Sequence, residues 1–163
     1  MRDVFSVKRL LRGGMIAAVY AVLTLVLAPI GYGQIQFRVS ELLCILPLFL
    51  PEAVPGLFVG CFIANLFGST LGVFDVIFGS LFSLMAAFLT WALRNKPLWI
   101  ALTPPVLINA LGIGSLLYFL AGEPYWISCL SIALGQTAAV FVIGLPLARL
   151  IRSRYAGSRF FEK

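Results

Sequence analysis

Charged residues divide this chain into long apolar blocks. Twenty-five uncharged residues separate Arg12 from Arg38, 22 separate Glu52 from Asp75, and 18 separate Asp75 from Arg94. A further 26 lie between Lys96 and Glu123, and 25 between Glu123 and Arg149. Each block can cross a hydrocarbon core of about 30 Å, which takes roughly 20 helical residues. One block is short: only ten uncharged residues, Leu42–Pro51, lie between Glu41 and Glu52. As an α-helix they would reach roughly half way across, at about 1.5 Å per residue.

The pattern predicts helices at about 10–30, 35–50, 54–68, 74–93, 98–120 and 125–150. Turn residues fall between them: Gly31-Tyr32-Gly33, the Pro51–Pro55 segment, Gly68–Gly72, Asn95-Lys96-Pro97 and Gly122-Glu123-Pro124. The fold class expected is an all-α, six-helix transmembrane bundle. Residues 1–152 would form one membrane domain and 153–163 a basic cytoplasmic tail. No internal repeat is evident, although inverted repeats mark many secondary transporters.

Charge decides whether the short second helix spans. With six spans and a cytoplasmic N-terminus, 11 of the 12 basic residues face the cytoplasm, all but Arg38. With five spans, Arg94, Lys96 and the basic tail would fall outside. Lysine and arginine in short loops favour the cytoplasmic side. Six spans with both termini cytoplasmic is therefore the expectation, and the second helix must be completed through Gln34–Glu41.

Composition agrees. The chain is 61% hydrophobic and 11% charged, against about 25% charged in a soluble domain. The net charge of +6 is a topology signal, since the basic residues sit at helix ends and form no folded face for nucleic acid. Lys8, Arg9 and Arg12 before an apolar run resemble a signal peptide. That run is too long, however, and lacks a small-residue cleavage site. Cys44, Cys61 and Cys129 sit in apolar runs as small apolar residues. Without histidine, a CxxC pair, an HExxH motif, a P-loop or a nucleophile elbow, no metal, cofactor or catalytic centre is expected. Coupling to ATP would need another subunit.

Three constellations could carry function. Gln34, Arg38 and Glu41 share one face if helical. Charged groups at membrane depth usually face a cavity or a partner, so this face is either a ligand-pocket wall or an Arg38–Glu41 salt bridge near the headgroups. Asn65, Asn109 and Gln136 stand at similar mid-helix depth. Such residues are either helix–helix glue or the lining of a shared cavity. Asp75 and Glu123 stand at outer helix ends, as caps or as counter-charges for a ligand. Finally, Ala17 and Ala21 form a small-residue stripe that lets another helix approach. On spacing alone that stripe reads as internal packing, as do Gly79/Ser83/Ala87 and Ser128/Ser131/Gly135.

The stretch Gln34-Ile-Gln-Phe-Arg38-Val-Ser-Glu41 resembles the QueT family. So do Pro47-Leu-Phe-Leu-Pro51-Glu52-Ala-Val-Pro55-Gly56, Gly60-Cys-Phe-Ile-Ala-Asn65 and Asp75-Val-Ile-Phe-Gly79-Ser80. The resemblance runs from about residue 10 to 150 and implies a substrate-binding S component of an energy-coupling-factor (ECF) transporter. The implied partners are a transmembrane T subunit and, through it, two cytoplasmic ATPases. The implied ligand is a queuosine precursor, a purine-like 7-deazaguanine such as 7-aminomethyl-7-deazaguanine, or queuine. The Ala-x-x-x-Ala pattern at Ala17 and Ala21 resembles the contact that S components make with the T subunit.

The residue types suit such a ligand. A carboxylate, Glu41, accepts from a guanine-like edge, and Arg38 or an amide donates to its carbonyl. Asn65, Asn109, Gln136 and Gln34 could complete the edge, and Asp75 or Glu123 could meet an aminomethyl cation. Tyr32, Phe37, Tyr118, Tyr125 and Trp126 could stack on the ring, although outer Tyr and Trp more often form an interfacial belt. The rival readings are an S component for another vitamin, a solitary transporter or channel, and a membrane scaffold without a ligand.

Overall fold

In the computed structural model, residues 6–28, 38–69 and 71–155 are described. They are helical, without strands, in six successive segments. These are α1 (Val7–Val26), α2 (Val39–Leu48), α3 (Ala53–Gly68), α4 (Asp75–Ala92), α5 (Leu98–Ala121) and α6 (Tyr125–Arg154). Four of them, α1, α4, α5 and α6, are long and apolar enough to cross a membrane, while α2 and α3 are shorter apolar helices. The protein is a helical membrane bundle. Its surface carries Leu, Ile, Val and Phe side chains in large numbers, such as Phe67 and Phe119, each more than 70% exposed. With so much apolar surface, the solvent for this outer face is lipid.

The second helix departs from expectation. Arg38 is extended, with φ −94° and ψ 105°, so the helix begins at Val39 rather than 35. Residues 29–37, including Gln34, Tyr32 and Phe37, lie outside the described residues. From Val39 the backbone winds as a 3-10 helix over ten residues, containing Pro47. That winding rises about 2.0 Å per residue, so ten residues cover roughly 20 Å where an α-helix would cover about 15 Å. Arg38, just before the helix, and Glu41 within it still line one cavity.

Elsewhere the boundaries move by a few residues. The basic run at 8–12 is helical, because Lys and Arg are good helix formers, and α1 therefore starts at Val7. α6 continues through Arg152 to Arg154. Pro55 sits in the first turn of α3, where a missing N–H breaks no helical bond. Gly122 ends α5 with φ +71°, a left-handed conformation that favours glycine.

α1 packs chiefly on α3, and α5 on α6. The first contact is made by small residues on both sides. A Cβ on Gly56 would stand 2.7 Å from the Gly13 carbonyl oxygen, and one on Gly60 would stand 2.8 Å from that of Ala17. Backbones this close require glycine at the contact, as in other small-xxx-small interfaces. Gly114 makes the corresponding approach on α5, against Cys129 of α6.

Candidate functional site

Glu41 is the centre of the buried polar structure. It is 2% exposed, and an ionised group at this depth is costly unless several donors meet it. Tyr20 on α1 donates its hydroxyl to Oε1 at 2.6 Å. Cys44, one 3-10 turn further along α2, donates its thiol to Oε2 at 3.0 Å. Asn109 on α5 donates Nδ2 to the same oxygen at 3.3 Å. Thr24, one turn on from Tyr20, bonds Ser40 Oγ at 2.7 Å and so fixes α1 against α2 a second time. Three helices thus aim donors at one carboxylate, which holds its position before any ligand arrives.

Beside Glu41 is a small cavity lined by Arg38, Glu41, Gly79, Ser83, Asn109, Ile113, Ile132 and Gln136. Five of the six helices contribute, all but α3 and α1 supplying lining and α1 supplying the Tyr20 bond. Its volume is about 10 Å³, room for about one water. A base-sized ligand therefore requires the walls to part. Arg38 is half-buried. Gln136 is 5% exposed, and its Oε1 has no hydrogen-bond partner among the described residues.

Asp75 and Asn65 form a second buried cluster adjoining this cavity. α4 opens with a wide π turn over Asp75–Gly79, which stacks residue 75 nearly above 79. A Cβ on Gly79, a cavity-lining residue, would stand 2.5 Å from Asp75 Oδ1 and 2.9 Å from Asn65 Nδ2. Asp75 is 1% exposed. Ser69 donates its hydroxyl to Asp75 Oδ2 at 2.5 Å, while Oδ1 has no partner among the described residues. Asn65 donates Nδ2 to the Asp75 carbonyl at 3.1 Å and holds the π turn open.

The structure thus brings Arg38, Glu41, Asn109 and Gln136 to one cavity, with Asp75 and Asn65 at its wall. It does not bring Glu123 or Trp126 there. Glu123 is exposed and accepts a bond from Ser128 Oγ at 3.0 Å at the start of α6. Trp126 is 76% exposed and packs edge-on against Tyr125, which in turn meets Tyr118. Gln34 lies outside the described residues. Tyr20, Ser83, Gly79 and the thiol of Cys44 were not expected at the site. Tyr20 and Thr24 had a signal available: they continue the Ala17/Ala21 face as polar groups at mid-helix.

A second concavity lies further toward the N-terminal end of α1. It is a groove of about 630 Å³ between α1 and α3, lined by Arg9, Leu10, Gly13, Gly14, Ala17, Pro51, Glu52, Pro55, Gly56 and Val59. Its wall is apolar except at one end, where Arg12 and Glu52 form an ion pair at 3.3 Å. Ala17 and Ala21 are 5% and 6% exposed; Ala17 packs on Gly60 of α3 and borders the groove.

The fold is thus that of a helical membrane bundle with a small, partly polar cavity between its helices. The QueT transporter family matches residues 10–153, nearly the whole chain. A protein of Lactococcus lactis subsp. cremoris (strain MG1363) named queuosine precursor transporter QueT is 30% identical, over 78% of this chain and 83% of that protein. No solved structure matches the chain. The chain belongs to the QueT transporter family, which is a family of transporters rather than enzymes.

Proposed function

We propose that this protein is the substrate-binding S component of an ECF-type transporter and imports a queuosine precursor, a 7-deazaguanine base such as 7-aminomethyl-7-deazaguanine, or queuine. The observation that carries this reading is Glu41, a buried carboxylate held by three donors beside a cavity that also offers Arg38, Asn109 and Gln136. A guanine-like base displays two adjacent N–H donors that one carboxylate accepts together, and a carbonyl that Arg38 or Asn109 can meet. Membership of the QueT transporter family and the name of the lactococcal relative support the same ligand class.

Both termini are assigned to the cytoplasm by the distribution of basic residues. The groove between α1 and α3 then opens near the cytoplasmic end and is the proposed seat of the T subunit. Its glycine and alanine floor would admit a helix at close range. Ala17 borders it, whereas Ala21 is buried and does not line it. Capture by the bundle and energy from ATPases bound through the T subunit account for a chain that carries no nucleotide motif of its own.

Mass spectrometry of small molecules carried by the detergent-purified protein tests the reading. A 7-deazaguanine base released on denaturation is the expected result. A different flat vitamin would move the assignment to another S-component specificity, and transport by the purified chain without ATPases would contradict the S-component role.

A further inference from the structure

Two buried acceptors at the cavity and its wall, Asp75 Oδ1 and Gln136 Oε1, are unmet among the described residues, and buried acceptors left unmet are costly. Charge is unbalanced in the same sense, since two carboxylates, Glu41 and Asp75, stand against one guanidinium, Arg38. Glu41 is already met by three donors. Asp75 is met by one hydroxyl, at Oδ2, which leaves Oδ1, the oxygen beside Gly79.

Gly79 explains how Asp75 comes to stand at the cavity wall. It lines the space, and its missing side chain is where Asp75 Oδ1 stands, 2.5 Å from the point a Cβ would occupy. Any other residue at 79 would drive the carboxylate away. Asn65, bonded to the Asp75 carbonyl, and the π turn it supports keep residue 75 directly above that gap.

We infer that Asp75 is the specificity residue of the site: its carboxylate receives an ammonium group on the ligand through the gap at Gly79, so the protein selects a cationic base over a neutral one of the same shape. This rests on the ligand-binding reading of the Glu41 cavity. A positive arm supplies both what the acceptors lack and the missing unit of charge, while Glu41 and the amides hold the flat base. Glu41 acts on every base that fits, and Asp75 acts only on the amine.

The test compares two probes on the purified full chain: 7-aminomethyl-7-deazaguanine, and 7-methyl-7-deazaguanine, in which the ammonium is replaced by hydrogen. Wild type should bind the amine about 10- to 100-fold more tightly, the range of one charge-assisted hydrogen bond. Asp75→Asn keeps the shape and the Ser69 contact. It should bring the two probes to the same affinity and leave the methyl probe at its wild-type value, which also shows that the variant is folded. Three results would overturn the assignment: equal affinities in wild type, discrimination retained in Asp75→Asn, or loss of both probes in that variant. If wild type binds neither base, the ligand reading itself fails and the assignment falls with it.

Discussion

The cavity beside Glu41 and the groove between α1 and α3 are opposites built on the same helix. The cavity is partly polar and about 10 Å³, whereas the groove is mostly apolar and about 630 Å³. Tyr20 bonds the carboxylate of the first, and Ala17, three residues earlier, borders the second. A small polar ligand must replace its water shell with fixed donors and acceptors, so its site is narrow and expensive to build. A partner helix in lipid needs close backbone approach rather than hydrogen bonds, so its site is shallow and glycine-lined. Changes to the two regions should therefore separate ligand binding from transport.

The largest effect is expected where the two regions share a support. Gly60→Leu drives a side chain into the Ala17 backbone and the Tyr20 Cβ, both under 3.2 Å from a Cβ at that position. It should part α1 from α3 at a cost above the 1–3 kcal/mol or so typical of overpacking. A fall in detergent thermal stability with loss of both binding and transport is the outcome to measure.

Gly14→Trp should separate the functions. Gly14 lines the groove, and a Cβ there meets nothing within 4 Å. The indole would fill the proposed docking face without touching internal packing. Uptake by the assembled transporter should be lost while the purified chain keeps its ligand affinity, as measured by isothermal titration. Ala17→Trp is a poorer probe, because Ala17 already packs on Gly60.

Tyr20→Phe touches only the cavity. Removing the hydroxyl leaves Glu41 Oε1 without its 2.6 Å donor, which costs about 1–3 kcal/mol for a buried charged acceptor. Affinity should fall roughly 5- to 100-fold, with uptake reduced in proportion. Arg12→Ala should do least. Its partner Glu52 is buried, but Arg12 is 34% exposed at the groove end, and such pairs contribute about 1 kcal/mol or less. A melting shift of a few degrees with unchanged ligand affinity would bear this out.

Much of the bundle was legible from charge spacing. The uncharged blocks place α3, α4 and α5 within a residue or two of their ends, because lipid penalises charge wherever a helix crosses it. The second helix resisted the same reasoning. Its ten residues wind as a 3-10 helix, which lengthens them to roughly 20 Å, and hydropathy carries no information on winding. At the site, Arg38, Glu41, Asn109 and Gln136 stood out as polar residues in apolar surroundings. Tyr20 and Cys44 did not, since both also pass as ordinary membrane residues. Gly79 was hidden for a different reason: its contribution is an absent side chain, visible only once Asp75 stands over it. Glu123 and Trp126 carried the right chemistry but sit at the bundle's rim, where a bond from Ser128 and an aromatic cluster account for them.

The most direct measurement is a titration of purified wild type and Glu41→Gln with 7-aminomethyl-7-deazaguanine. The substitution keeps the shape and removes the charge that Tyr20, Cys44 and Asn109 converge upon. Saturable binding by wild type and a loss of about 100-fold or more in Glu41→Gln are expected from replacing a carboxylate that accepts two N–H bonds. Wild-type affinity in the folded variant would contradict a ligand site centred on Glu41.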